Sequence, residues 1–172
     1  MDLEMRMKKM EGKFTIGAIV LNHAGVLTRV AGLFARRSCN IYSLAVGETE
    51  DPEVSRMTII AEGDDAIKDQ MLKQLLKLQD VNRAVTLETA SSNLREHVLV
   101  KLVANNGSND RLIHIINKYG GKVVDFSHTT ITAEFSGYED NNAEFIKQAR
   151  KHGIIELCRA GVIALAKGEE KI

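Results

Sequence analysis

The feature that most constrains this chain is an alternation of strand and helix signals that is run through twice. Residues 14–21 are apolar and β-rich, and they lead into Asn22, His23, Ala24 and Gly25, a turn composition suited to opening a helix. From Val26 the apolar residues Leu27, Val30, Ala31, Leu33 and Phe34 recur at helical spacing. Thr28, Arg29, Arg36 and Arg37 fall on the other face, and the helix is expected to end near Ser38. Strands at 40–47 and 54–62 follow, joined by a loop that holds Glu48, Glu50, Asp51 and the only proline, Pro52. Gly63, Asp64 and Asp65 punctuate the chain, with Asp64 placed to cap a helix marked by Ile67, Met71, Leu72, Leu75, Leu76 and Leu78. A fourth strand spans 81–87.

This order, βαββαβ, is the split βαβ arrangement in which two helices cover one face of a four-stranded sheet. A short polar stretch at 89–95 has no apolar periodicity and reads as a linker. Beyond it the pattern restarts, with strands at 97–104, 122–127, 130–136 and 154–165 and helices at 109–119 and 141–151. An offset of 83 residues, from Asn22 to Asn105, also brings Val30 onto Ile113 and Ile41 onto Val124. Two weakly similar structural repeats account for this. The expected fold class is therefore α+β, two ferredoxin-like βαββαβ domains in tandem. They would occupy 14–88 and 96–172, with an extension at 1–13 and the linker at 89–95.

Charge and cysteine content narrow the function. Lys plus Arg and Asp plus Glu each total 23, so no net field draws the protein to nucleic acid or to an anionic membrane. Arg36 and Arg37, the only adjacent arginines, read as a solvated helix face. Cys39 and Cys158 belong to no Cys-x-x-Cys pair, which argues against zinc and fits two reduced, partly buried thiols. The first residues mix charges with methionines and lack the apolar core of a signal peptide, and no later stretch is long enough to span a membrane. A cytoplasmic protein is expected.

Catalytic chemistry finds no place to reside. There is no nucleophile elbow and no dinucleotide turn, and Gly12 and Gly17 have phosphate-loop spacing but are followed by Ala18 and Ile19. His23, His97, His114, His128 and His152 are scattered singly, without the spacing that lets one helix face bind a metal. The paired carboxylates Asp64 with Asp65 and Glu169 with Glu170 sit where they cap helices or keep the surface soluble.

One segment has the composition of a binding site. A strand ending in Asn22, a turn through Gly25, a helix from Val26 and a strand beginning at Asn40 would form a small polar cup. Unpaired N–H groups at a helix start hold a carboxylate, and Gly25 allows close backbone approach. The side-chain oxygens of Asn22 and Asn40 would accept from an ammonium group, so the cup suits a free amino acid. Asn and Gly in such loops also make plain turns, and the residues alone leave both readings open. The strand at 40–46 would be an edge strand carrying Ile41, Tyr42, Leu44 and Val46 on both faces, which calls for a partner strand and a two-fold homodimer. Pairing of that kind would bring Asn40 near the Gly25 loop of the other chain.

The run Asn22, His23, Ala24, Gly25, Val26, Leu27, Arg29, Val30, Ala31, Gly32, Leu33, Phe34, Arg36, Arg37, Asn40, Ile41, Ser43, Leu44, Val46 and Gly47 closely resembles the small regulatory subunits of acetolactate synthase, which carry an ACT domain. The likeness continues through Ser55, Arg56, Met57, Thr58 and Ile59, and in the second half through Val123, Val124, Asp125, Glu134, Gly153, Glu156, Arg159 and Gly161. Ala24 stands where the family usually has proline, which implies a more mobile loop, and Ala160 where it usually has threonine. The resemblance implies a non-catalytic chain that activates a large subunit carrying thiamine diphosphate, magnesium and FAD, none of which should bind here. It also implies feedback by valine or a sibling branched-chain amino acid, held at Asn22, Gly25 and Asn40, with His23, Ala24, Val26, Leu27 and Ile41 lining the site. The alternative is a free-standing tandem ACT sensor resembling the glycine cleavage repressor. An acylphosphatase-like enzyme would need an arginine in the first strand-to-helix loop, where this chain has none.

Overall fold

The computed structural model describes residues 12–104 and 109–172. All but the end of the extension expected at 1–13 lies outside them, as does Asn105 of the repeat comparison. The first sheet is formed by β1 (Lys13–Leu21), β2 (Ile41–Glu48), β3 (Val54–Glu62) and β4 (Val81–Thr86), in the order β2-β3-β1-β4. Helices α1 (Val26–Ala35) and α2 (Asp65–Leu75) connect them. The second sheet holds β5 (Ser92–Val103), β6 (Lys122–Phe126), β7 (Thr130–Gly137) and β8 (Ile154–Ala166), ordered β6-β7-β5-β8, with α3 (Asn109–Lys118) and α4 (Glu139–Ala149) between them. Both sheets have the split βαβ order that the repeat requires. A single turn of 3-10 helix, Arg150–His152, follows α4.

Alternation explains the first core. Phe14, Ile16, Ala18 and Val20 of β1 project toward Val30, Leu33 and Phe34 of α1 and toward Met71 and Leu75 of α2. α1 ends three residues earlier than the sequence suggests, because Ser38 takes a left-handed φ of 53° and the Cys39 N–H turns back to Phe34 O. α2 is capped as expected: Asp64 Oδ1 accepts from the Ile67 N–H at 2.8 Å. The second core gathers Val98, Val100, Leu102, Leu112, Ile116, Ile131, Phe135 and Phe145, with the Phe135 and Phe145 rings 3.9 Å apart at their centroids.

Two boundaries differ from the sequence reading. β5 begins at Ser92, five residues before its expected start, so the polar run at 89–95 is strand over its second half. The chain also divides into a unit that runs to Leu94 and takes in Val162–Ile172, and a unit Arg95–Gly161. The last part of β8, read from sequence as second domain, thus belongs to the first unit. The switch falls at Gly161, whose φ of 78° is one that other residues rarely adopt.

Within the second unit a buried polar cluster sits beside both chain crossings. Glu96, 3% exposed, accepts from Arg159 Nε at 2.6 Å and from Asn142 Nδ2 at 3.2 Å. Arg159 Nη2 also lies 3.7 Å from Glu139.

Candidate functional site

β1 ends at Leu21 and hands the chain to the turn His23, Ala24, Gly25, from which α1 starts. Gly25 occupies the N-cap position with φ 90° and ψ −14°, so glycine is the residue the backbone demands there. No side chain caps the helix and its first turn has no acidic residue. The positive end of the helix therefore has no carboxylate in its own first turn and no side-chain cap, and the Val26 N–H turns back to His23 O at 3.4 Å. Val26 is buried as the first core residue of the helix, whereas Asn22, His23, Ala24, Gly25 and Leu27 are exposed.

Asn22 is held from the hairpin opposite. Its Nδ2 donates to Glu48 Oε1 at 3.1 Å and to Pro52 O at 2.8 Å, and its backbone N–H donates to Glu53 O at 2.7 Å. Both amide hydrogens are committed, so what the side chain offers a ligand is its carbonyl oxygen. That is the polarity needed to accept from an ammonium group.

Two residues that sequence reasoning missed complete the rim. Asp80, in the turn before β4, takes Arg29 Nε at 2.6 Å on one oxygen and His23 Nε2 at 3.1 Å on the other. His23 Nδ1 also meets Ala24 O at 3.1 Å. Two acceptors face the two ring nitrogens, and a neutral imidazole can donate to only one of them. The topology held a signal for this: Val20 pairs with Val81, so the turn before β4 must land beside the turn after β1, and Arg29 lies one helical turn from Gly25.

Asn40 and Ile41 do not join the cup within one chain. β2 runs antiparallel to β3 from Ile41 opposite Ala61 to Glu48 opposite Ser55, and only the Glu48 end reaches Asn22. The start of β2 lies a strand length away, roughly 23 Å at about 3.3 Å per residue. The cup read from the sequence is thus half a cup. The thiols also divide: Cys39 is buried and donates to Glu62 O, with burial pushing its pKa up, while Cys158 is exposed. Among the described residues, no group of three or more His, Cys, Asp or Glu is placed to hold a metal ion. No helix there is long and apolar enough to cross a membrane.

The first unit, with its uncapped helix at a left-handed glycine, is an ACT domain: residues 16–83 match the family described as AHAS small subunit-like ACT domain. Residues 95–168 match the family described as small subunit of acetolactate synthase. The chain belongs to the acetolactate synthase small-subunit family. It is 42% identical to a probable acetolactate synthase small subunit of Archaeoglobus fulgidus, over 92% of this chain and 99% of that one. Identity to the small subunit of Mycolicibacterium smegmatis is 37%, over 92% and 94%. The crystal structure of the small subunit from Thermotoga maritima superposes with a TM-score of 0.85 at 29% identity, covering 92% of this chain and 99% of that one.

Proposed function

We propose that this chain is a non-catalytic regulatory subunit that activates the thiamine diphosphate-dependent large subunit of acetolactate synthase and confers feedback inhibition by valine or another branched-chain amino acid. The observation that carries the reading is the start of α1, where an uncapped helix at Gly25 stands beside an asparagine whose amide hydrogens are already taken. A carboxylate fits the first and an ammonium group the second. The names of the relatives support the partner, since each is described as a small subunit of that enzyme. Thiamine diphosphate, magnesium and FAD are assigned to the large subunit, and the assembly to the cytoplasm. Asn40 and Ile41 would complete the site from a second copy paired through β2, because antiparallel pairing of two β2 strands sets the start of one beside the Glu48 end of the other.

The test is a titration of the large subunit with this chain. Alone, the chain should form no acetolactate from pyruvate; added to the large subunit, it should raise turnover, and valine should then lower it. Turnover that stays flat across the titration removes the assignment.

A further inference from the structure

The face of the first sheet that the helices leave uncovered is buried at its centre, on β1 and β3. Thr15 and Gly17 of β1 alternate with the core residues, and their partners across the ladder are Ile60 and Thr58 of β3. All four are buried. Over Gly17 and Thr58 lies the chain's own last stretch, residues 162–172, with Leu87 beside it at Gly17. The Val162 N–H donates to Ser43 Oγ at 2.8 Å and the Ala164 N–H to Thr58 Oγ1 at 3.4 Å, while Arg56 Nη2 donates back to Ala164 O at 2.8 Å. The Lys167 N–H reaches Ser91 O at 2.8 Å. Ile172 Cδ1 fills the space that a β-carbon on Gly17 would need.

The residue that fixes Val162 lies on β2, the strand that also fixes Asn22. β2 is an edge strand, whose ladder partner among the described strands is β3 alone. Its ladder is irregular between Ile41 and Ser43, where the stretch is pinned. Its other end carries Glu48, the acceptor for Asn22 Nδ2. An edge strand with a break in its ladder samples more arrangements than a central one, and a bond to Ser43 removes some of them.

We propose that residues 162–172 act as a strap whose seating on the first sheet raises the affinity of the Gly25 loop for its amino acid, through β2; the proposal rests on the reading of that loop as the effector site. With the strap seated, β2 is steadied and Glu48 keeps the Asn22 carbonyl oxygen turned to the ligand, so binding orders less of the chain. By linkage, the ligand must in turn hold the strap more firmly.

Hydrogen exchange of the full chain, read at the Val162 and Ala164 amides with and without saturating valine, leucine or isoleucine, tests this together with the affinities of two variants. Gly17→Ala sets a methyl group where Ile172 sits, and the neighbour it displaces is the end of a flexible side chain. Ser43→Ala removes the acceptor for Val162 and covers the case in which the first variant fails to fold. Neither touches the loop. The expected result is slower exchange at both amides with the bound amino acid, and about fivefold or more weaker binding in each variant whose strap amides exchange faster. Binding by the parent with unchanged exchange, or variants that lose the strap yet bind as the parent does, would overturn the strap and leave the site reading intact. Failure of all three amino acids to bind the parent would overturn both.

Discussion

Gly25 is the residue on which most turns. Its φ of 90° means that any side chain there adds backbone strain of about 1–2 kcal/mol. A β-carbon would also meet Arg29 Nη1 at 3.3 Å, a side-chain tip that can move aside. Gly25→Ala carries that strain alone, whereas Gly25→Asp adds a carboxylate against the one the helix start is expected to hold. Valine inhibition of the reconstituted enzyme should therefore survive Gly25→Ala in weakened form and vanish in Gly25→Asp, with activation retained in both. Inhibition kept in the aspartate variant would show the ligand is elsewhere, and joint loss of activation in both variants would make Gly25 a folding residue only. Of the rim, Asn22 to Leu27 were legible because they are contiguous and have the composition of a turn opening a helix. Asp80 was not, since its meeting with Arg29 joins residues 51 apart and follows only from the order of strands in the sheet.

At the level of elements, helical and strand periodicity placed α1 to α4 and β1 to β8 to within a few residues, and Asp64 announced the start of α2. The polar run at 89–95 misled because Ser92 and Glu96 are buried polar residues inside a strand, where periodicity of apolar residues gives no sign. Glu96 shows what such a residue demands. With Arg159 replaced by Met, its buried carboxylate keeps only Asn142, and the loss should be about 3 kcal/mol, the lower part of the range for orphaned buried charges because Arg159 is itself partly exposed. Glu96→Gln with Arg159→Met should recover a good part of that loss, since no charge is then buried. Urea unfolding of the two single variants and the double closes the cycle; strict additivity would mean that the pair is not coupled.

For the molecule as a whole, β2 presents Tyr42 at 45% and Val46 at 46% exposure along an edge that no described strand pairs with, and pairing of two such edges would join the four-stranded sheets of two copies. Sedimentation at micromolar concentration should find twice the chain mass, and Val46→Lys should shift the equilibrium toward monomer. A stable parental monomer would leave Asn40 a strand length from the loop and remove it from the site. The repeat was legible at this scale because it recurs at one offset; the shared course of β8 was not, since its alternation reads the same whichever sheet it covers. That course makes the protein indivisible by simple cutting. A chain ending at Leu94 would keep every strand and both helices of the first βαββαβ repeat, yet Gly17 would lose Ile172 and Thr58 would lose the Ala164 N–H from the face they share. The duplication written in the sequence is therefore not divided where its repeats divide, and anyone wishing to study the first unit whole would have to graft residues 162–172 back onto it.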